Sequence, residues 1–476
     1  MKTKLNIMKK RYIYLLLAFL TLSACQSPDD FLDVEPTGLI IPSTLEDLDK
    51  LLQNYAILRS VGTNIRYMDP DVYHNDASFA TIANNTKDVN AYAWKHDIFP
   101  PGVNDTDYND FYFYIHTMNY IIENVDGVDT GNFNPADRNT LKAEALAQRA
   151  FEYFLVVNEY AHHYDPANPD NPGIAMPLKI DLQAQTARST VGEVYEQMLS
   201  DLNEALSLLD SNYQAINSYA NFRPGLASIY ALIAEINLFM GDFDKAVTNS
   251  NIALGLYDFL YDYNDIDFVN SSNLWSGYNN GSLWLTGTLN QENIWNRYNY
   301  WSFNNPFHLY APELEALYDK DNDRRWYLFA TQTSSSGIDV SPNYIYMHAN
   351  SERCNGLTVP RLILTNAEAK ARSGNGAGAI AVLNKLLENR MSVFTPLIHT
   401  NDATTLQLVK NERRKELAGT SVNLFDQKRY HVYGDVVPTY TRIDPETGDT
   451  IELKPGGDGY VVKIAPAVTD QNPNLN

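Results

Sequence analysis

Between Tyr257 and Tyr310 the chain carries Tyr257, Tyr261, Tyr263, Trp275, Tyr278, Trp284, Trp295, Tyr298, Tyr300 and Trp301, interleaved with Asn, Gly and Ser. Four of the six tryptophans fall in this one stretch, so it concentrates whatever ring chemistry the protein has. Tyrosine and tryptophan present an apolar face with a polar tip. Sugar rings offer C–H faces that stack on indole and phenol, while Asn, Asp and Arg hydrogen-bond the hydroxyls. Trp275, Tyr278, Asn279 and Trp284, set among glycines and asparagines, supply both parts of a site for an uncharged oligosaccharide. Each ring is equally a candidate for packing beneath long loops, and Trp295 and Trp301 lean that way. A second candidate stretch, Asp69–Asp76, contributes Tyr73 and Asp76; Trp94 reads as core.

Other chemistries find no framework. Asp319-Lys320-Asp321-Asn322-Asp323 opens like a calcium loop, but Arg324 stands where glycine is needed and Ala330 where the closing glutamate belongs. A helix-ending turn with Asp323–Arg325 pairing accounts for it better. His162-His163 lacks a third ligand and reads as a solvated helix end. No strand precedes Gly374-Asn375-Gly376-Ala377-Gly378, so it is an interhelical turn rather than a phosphate loop. Glu412, Arg413, Arg414 and Glu416 read as an ion-paired helix face. Nucleophile elbow, Ser-x-x-Lys set and metal cluster are all absent from the sequence, so neither a cofactor nor a catalytic residue is expected. With 58 acidic residues, an imagined carboxylate pair is no argument for glycoside hydrolysis.

The elements that must hold these loops are helical. Gly225–Met240 places Leu226, Ile229, Tyr230, Ile233, Ile236 and Leu238 at helical spacing, Gly241-Asp242-Phe243-Asp244 breaks it, and a second apolar face runs to Leu256. Tyr230, Ile233, Ala234, Gly241, Ala246 and Ala253 fall where a tetratricopeptide helix pair sets its bulky and small residues. Pro360–Arg390 repeats the register through Ala367, Gly374 and Ala379. One such hairpin leaves an apolar face uncovered, so stacked neighbours are predicted. Further helical patterns cover Asp107–Val125, Leu141–Ala161, Val191–Leu209 (capped by Thr190) and Leu406–Ala418. Ser43-Thr44-Leu45-Glu46 reads as a capping box opening a helix through Leu58. Residues 60–110 read as loop, and Glu446-Thr447-Gly448-Asp449 as a hairpin turn. The fold class is therefore mainly α, a tetratricopeptide-like scaffold with a long, irregular, aromatic-rich loop region.

The chain has 476 residues, 44% hydrophobic, with a formal charge of −22, which excludes nucleic acid as a natural partner. Residues 1–24 form an export signal: Lys9-Lys10-Arg11, then a short apolar run from Tyr12 to Leu22, with Met8 an alternative start. Leu22-Ser23-Ala24-Cys25 resembles a bacterial lipobox, implying acylation of Cys25 and a membrane anchor. Gln26-Ser27-Pro28-Asp29-Asp30 resembles the acidic tether that directs Bacteroidetes-type lipoproteins to the cell surface. Cys354 is the only other cysteine, so no intrachain disulfide is expected, and Cys354 reads as an inert, partly buried thiol.

Several segments, in order, resemble the SusD/RagB family of outer-membrane nutrient-binding lipoproteins. They are Asp30-Phe31-Leu32-Asp33-Val34-Glu35-Pro36 after the lipobox; Ala143–Ala150 with Tyr153-Phe154; Met176-Pro177-Leu178; Val191–Leu209 with Tyr195 and Asp201-Leu202; Asn411–Leu417 with Leu424–Arg429; and the closing Ile464-Ala465-Pro466 with Asn472–Leu475. Gly419-Thr420-Ser421-Val422 departs from the family's Glu-Gly-x-Arg run. The resemblance covers essentially the whole chain. It implies a signal over 1–24, a lipidated tether over 25–42 and one SusD-like domain over 43–476. In that domain the helix pairs fall within about 140–256 and 360–420, and the ligand-binding loops at about 60–110 and 257–330. It also implies a non-catalytic lipoprotein that captures an oligosaccharide and passes it to a SusC-like TonB-dependent transporter. A peptide ligand, a surface glycoside hydrolase and a scaffold with no small ligand are the alternatives.

Overall fold

The computed structural model describes residues 42–181, 183–279, 287–298, 308–347, 353–444 and 447–476. Cys25, the signal, Trp284 and Trp301 lie outside the described residues. α1 (Leu45–Leu52) opens on a capping box one residue later than the sequence suggests: Thr44 and Asp47 cap each other's backbone. The helix stops at Leu52, because Asn54 caps a separate 3-10 turn at Tyr55–Arg59. The stretch expected to be loop holds two short helices, α2 (Asp76–Phe79) and α3 (Thr86–Tyr92), each started by an asparagine cap, Asn75 and Asn85. Helices this short leave no readable period and owe their stability to packing.

The long elements follow the apolar spacing. α4 (Thr106–Asn124) starts at Asp105, α5 spans Asp137–Tyr160, and α6 (Val191–Leu208) carries a Thr190–Glu193 capping box. α7 (Leu226–Met240) and α8 (Phe243–Leu256) form the predicted hairpin, turned by Gly241 at φ 78°. After the short α9 (Pro312–Glu315) and α10 (Arg324–Phe329), α11 (Val359–Arg372) and α12 (Gly376–Leu387) repeat it through Gly374 at φ 77°. A left-handed residue at this point lets the chain reverse within a few residues, and only glycine takes it without a Cβ penalty. The paired alanines Ala234/Ala367 and Ala246/Ala379 are wholly buried, as close helix approach requires. α13 (Asp402–Glu416), α14 (Val422–Val432) and α15 (Pro466–Thr469) complete the helices among the described residues.

Each long helix packs on the next: α4 on α5, α5 on α6, α6 on α7, α7 on α8. α8 then packs directly on α11 although residues 257–358 separate them in sequence. Asn366 of α11 donates to Ser250 Oγ (2.7 Å) and Asn251 Oδ1 (3.0 Å) across that joint. The aromatic-rich segment is thus an insertion between two neighbouring repeats, held at both ends by the stack.

The carboxy-terminal helices lock the stack through buried charge, and Glu412, Arg413, Arg414 and Glu416 are ion-paired as expected. Arg413 of α13 is fully buried between Glu235 of α7 (2.7 Å) and Asp426 of α14 (2.7 Å), and Arg361 of α11 reaches the same Glu235 (2.9 Å). Arg390 spans Glu292 (2.9 Å) and Glu416 (3.0 Å), and Arg325 joins Asp323, Glu412 and Glu416. Charges taken out of water persist only when paired in this way. Asp323 pairs with Arg325 as expected, but it begins α10 instead of ending a helix. His162 is solvated beside Asp458, whereas His163 is buried against Phe239 and Tyr433.

Short strands stitch the loops. β1 (Val72–Tyr73), β5 (Leu309–Tyr310), β7 (Ile345–Tyr346) and β6 (Ala330–Thr331) form one antiparallel sheet in that order. β2 (Pro172–Ala175) pairs with β3 (Arg188–Thr190), and β4 (Asn293–Trp295) with β8 (Leu357–Thr358). β9 (Tyr440–Ile443) and β10 (Thr450–Leu453) form the carboxy-terminal hairpin with Thr447, Gly448 and Asp449 between them, while Glu446 of the expected turn lies outside the described residues.

Candidate functional site

The four-stranded sheet brings the two candidate loops together. β1 carries Tyr73 at one edge, and the chain leaving β6 at the other edge reaches Thr333, whose carbonyl accepts the indole N–H of Trp275 (2.8 Å). Three interstrand spacings separate the edges, roughly 14 Å. Residues distant in sequence therefore flank one short span.

At the β6 edge the loop is built from a small aromatic core. Tyr263, Ile266, Phe268, Tyr278, Leu328, Phe329 and Met347 pack together, with Trp275 half-buried on top. Tyr278 is in this core: its ring stacks on Phe268 (5.1 Å between centroids) and its hydroxyl donates to the Leu328 carbonyl (2.6 Å). At 5% exposure it has no open face for a ligand, which corrects the expectation drawn from its Gly and Asn neighbours. Asn279 is exposed, its backbone N–H donating to the Asp267 carbonyl (2.8 Å) and its Oδ1 accepting from Asp267 N (3.0 Å). These bonds fold 267–279 back on itself and set Trp275 and Asn279 on one loop.

Three neighbours complete the surface that sequence reasoning did not single out. Tyr327 of α10 is 39% exposed, its hydroxyl donating to Asp267 (2.5 Å) and its ring lying 4.2 Å beneath the Arg324 guanidinium. The Tyr327 hydroxyl holds the Asp267 carboxyl below the usual carboxylate range, so it is ionised at neutral pH. The available signal was Arg324-Arg325-Trp326-Tyr327, a basic and aromatic run at the abandoned calcium loop. The platform thus combines an indole, a phenol, an amide, a carboxylate and a guanidinium, with near-balanced charge.

The insertion is anchored firmly behind this surface. Tyr263 N donates to the Asn389 carbonyl (3.0 Å), and the Arg390 guanidinium lies 3.7 Å over the Tyr263 ring while bonding the Tyr261 carbonyl (3.0 Å). Trp295, fully buried against Phe151, belongs to the main core as expected, as does Trp94.

At the β1 edge Tyr73 is half-buried against Leu309, Val340 and Ile345. Asp76 is exposed at the start of α2, and the preceding Asn75 donates to Asn343 Oδ1 (3.1 Å). This loop is fixed by Arg442 of β9, whose guanidinium donates to the carbonyls of Tyr67, Asp69, Val72 and Tyr92 at 2.7–2.8 Å. The Tyr92 and Trp94 rings lie 4.2 and 4.0 Å from it. His74 is buried, and burial pushes its pKa well below the ordinary value, so it is a neutral packing residue. Among the described residues no cluster of His, Cys, Asp and Glu is arranged to hold a metal ion. No helix among them is long and apolar enough to cross a membrane.

Comparison with known proteins places this geometry in a family. Residues 30–238 match the SusD-like family model described as starch-binding and associating with outer membrane, and residues 275–472 match the SusD family model. No curated protein matches the sequence. Among solved structures, a SusD superfamily protein from Bacteroides fragilis superposes with TM-score 0.69 at 18% identity, covering 92% of this chain and 100% of that one. A SusD-like carbohydrate binding protein from Bacteroides vulgatus gives 0.65 at 20%, covering 91% and 98%. Surface glycan-binding protein A from Bacteroides uniformis gives 0.65 at 15%, covering 91% and 99%. Identities this low speak for the fold, and the two family models speak for descent: the chain belongs to the SusD/RagB family.

Proposed function

We propose that this protein is a non-catalytic cell-surface lipoprotein that captures an oligosaccharide and hands it to a SusC-like TonB-dependent outer-membrane transporter. The observation that carries the reading is the Trp275 platform. A half-buried indole, pinned through its N–H, sits on one loop with exposed Asn279 and against a core that borders Tyr327, Asp267 and Arg324. A fixed ring stacks on a sugar face with little entropy lost, and the surrounding donors and acceptors suit hydroxyls. Tyr73 and Asp76, across the sheet, would meet a ligand several sugar units long. The Asp267 carboxylate, ionised at neutral pH, is a hydrogen-bond acceptor for sugar hydroxyls. Acylation at Cys25 would tether the domain beside its transporter, over which it would close as a lid.

The mature protein with Cys25 removed should bind at least one member of a polysaccharide panel saturably in affinity gels and calorimetry, releasing no product. Trp275→Ala should weaken that binding tenfold or more. Product release would overturn the non-catalytic reading. Silence across the panel with binding of peptides would replace the ligand class.

A further inference from the structure

A second cleft opens far from the platform in sequence, between α4, the 175–186 segment and the carboxy-terminal tail, with a volume of about 320 Å³. That is the lower end of the range in which small-molecule sites fall. Asn109, Tyr112, His116 and Asn119 recur at helical spacing and so line it from a single face of α4. A face meant only for packing would be apolar there; this one is polar.

Its floor and walls are held rigidly. The Tyr112 ring stacks on Tyr108 (4.3 Å), and its hydroxyl donates to the Ala175 carbonyl (2.7 Å). Buried Asn119 donates to the Pro177 carbonyl (2.7 Å) and accepts from Arg149 (2.8 Å). On the far side Asn472 donates to the Thr186 carbonyl (2.9 Å) and Asn474 to the Gln185 carbonyl (2.8 Å). Within this frame the side chains of Asn104, Asn109 and His116 make no hydrogen bond among the described residues, and all three are exposed. Lys179 faces two acids on the lining, Asp181 and the buried Asp105, so the cleft has no excess of positive charge.

We infer that this cleft is a second carbohydrate site, sized for one or two neutral sugar rings, with the partly exposed Tyr112 as its ring surface and Asn104, Asn109 and His116 as its hydroxyl contacts. Amides give and accept hydrogen bonds equally, which suits hydroxyl groups, whereas an anion would call for excess positive charge. None of the residues that form this cleft belongs to the Trp275 platform, so the two sites stand or fall separately.

The test uses the mature chain carrying Trp275→Ala, which disables the platform, with maltose, cellobiose and mannobiose as probes at up to tens of millimolar. Calorimetry and amide hydrogen exchange are read together. At least one sugar should bind and slow exchange within 104–119 and 466–475. Asn109→Ala with His116→Ala, both at exposed positions, should cut that affinity at least tenfold while leaving thermal unfolding unchanged. The inference is overturned if no probe slows exchange in these segments, or if the double variant binds as tightly as its parent. Loss of polysaccharide binding in Trp275→Ala alone concerns the platform and leaves this outcome unaffected.

Discussion

Glu235→Gln should destabilise the fold by about 3–5 kcal/mol at neutral pH, because it removes the anion that two buried guanidiniums share. Glu235 Oε1 accepts from Arg361 Nε (3.1 Å), Arg361 Nη2 (2.9 Å) and Arg413 Nη2 (2.7 Å), while Oε2 accepts from the Thr365 hydroxyl. One carboxylate therefore ties α7, α11 and α13 together. Burial alone pushes this carboxyl up; the guanidiniums of Arg361 and Arg413 overcome it and hold it at about 2 against an ordinary 4.5. A folded value below the unfolded one means the ionised form favours folding. That contribution is complete above pH 4.5 and drains away as pH falls toward 2. The difference corresponds to about 3 kcal/mol at pH 7 and about 2 kcal/mol at pH 3.5. Urea unfolding of both proteins at the two pH values measures it. The wild-type advantage should shrink at the lower pH. An advantage under 1 kcal/mol at pH 7, or one equal at both pH values, would refute the charge argument and leave only packing.

Arg442→Met strips four carbonyls of their donor, so it should cost about 3–5 kcal/mol and speed amide exchange within 67–73; unchanged exchange there would show that Arg442 does not hold the Tyr73 loop. Gly241→Ala should lose about 1–2 kcal/mol from the left-handed turn alone, since its Cβ would meet nothing nearer than Tyr433 at 3.6 Å. Gly255→Ala, inside α8 with open space around it, should instead gain about 0.5–1 kcal/mol, and thermal melts of the pair separate strain from propensity. Lys428, buried and donating to the Asn158 and Ala161 carbonyls, has its pKa lowered by burial to about 7. The unfolded chain then holds that proton more tightly, so stability should rise between pH 7 and 9 by up to about 2 kcal/mol more in wild type than in Lys428→Met; parallel pH dependence of the two would contradict it.

The aromatic insertion shows where sequence reading stops. Of the three neighbouring candidates Asn279 is exposed and Trp275 half-buried, yet Tyr278, between them, faces inward because Phe268 and the Leu328 carbonyl lie beneath it. Local composition marks a loop but not which side of a ring meets solvent. Tyr327 was missed for the same reason: its importance comes from Asp267 and Arg324 converging on it in space.

The repeats were legible in the sequence because their determinants are local: apolar positions at helical spacing, alanines at the crossing, glycine at the turn. Leu22-Ser23-Ala24-Cys25, which resembles a lipobox, and the ordered family segments are likewise contiguous strings. What only the tertiary structure decided is pairing over distance. Glu235 and Arg413, 178 positions apart, meet because α7 and α13 both pack against α11. The early loop with Tyr73 and the insertion's Trp275 loop flank the same sheet because β1 and β6 are its two outer strands. Charge complementarity and strand pairing are indifferent to separation along the chain, so each acidic residue has many conceivable arginine partners until packing brings one within reach.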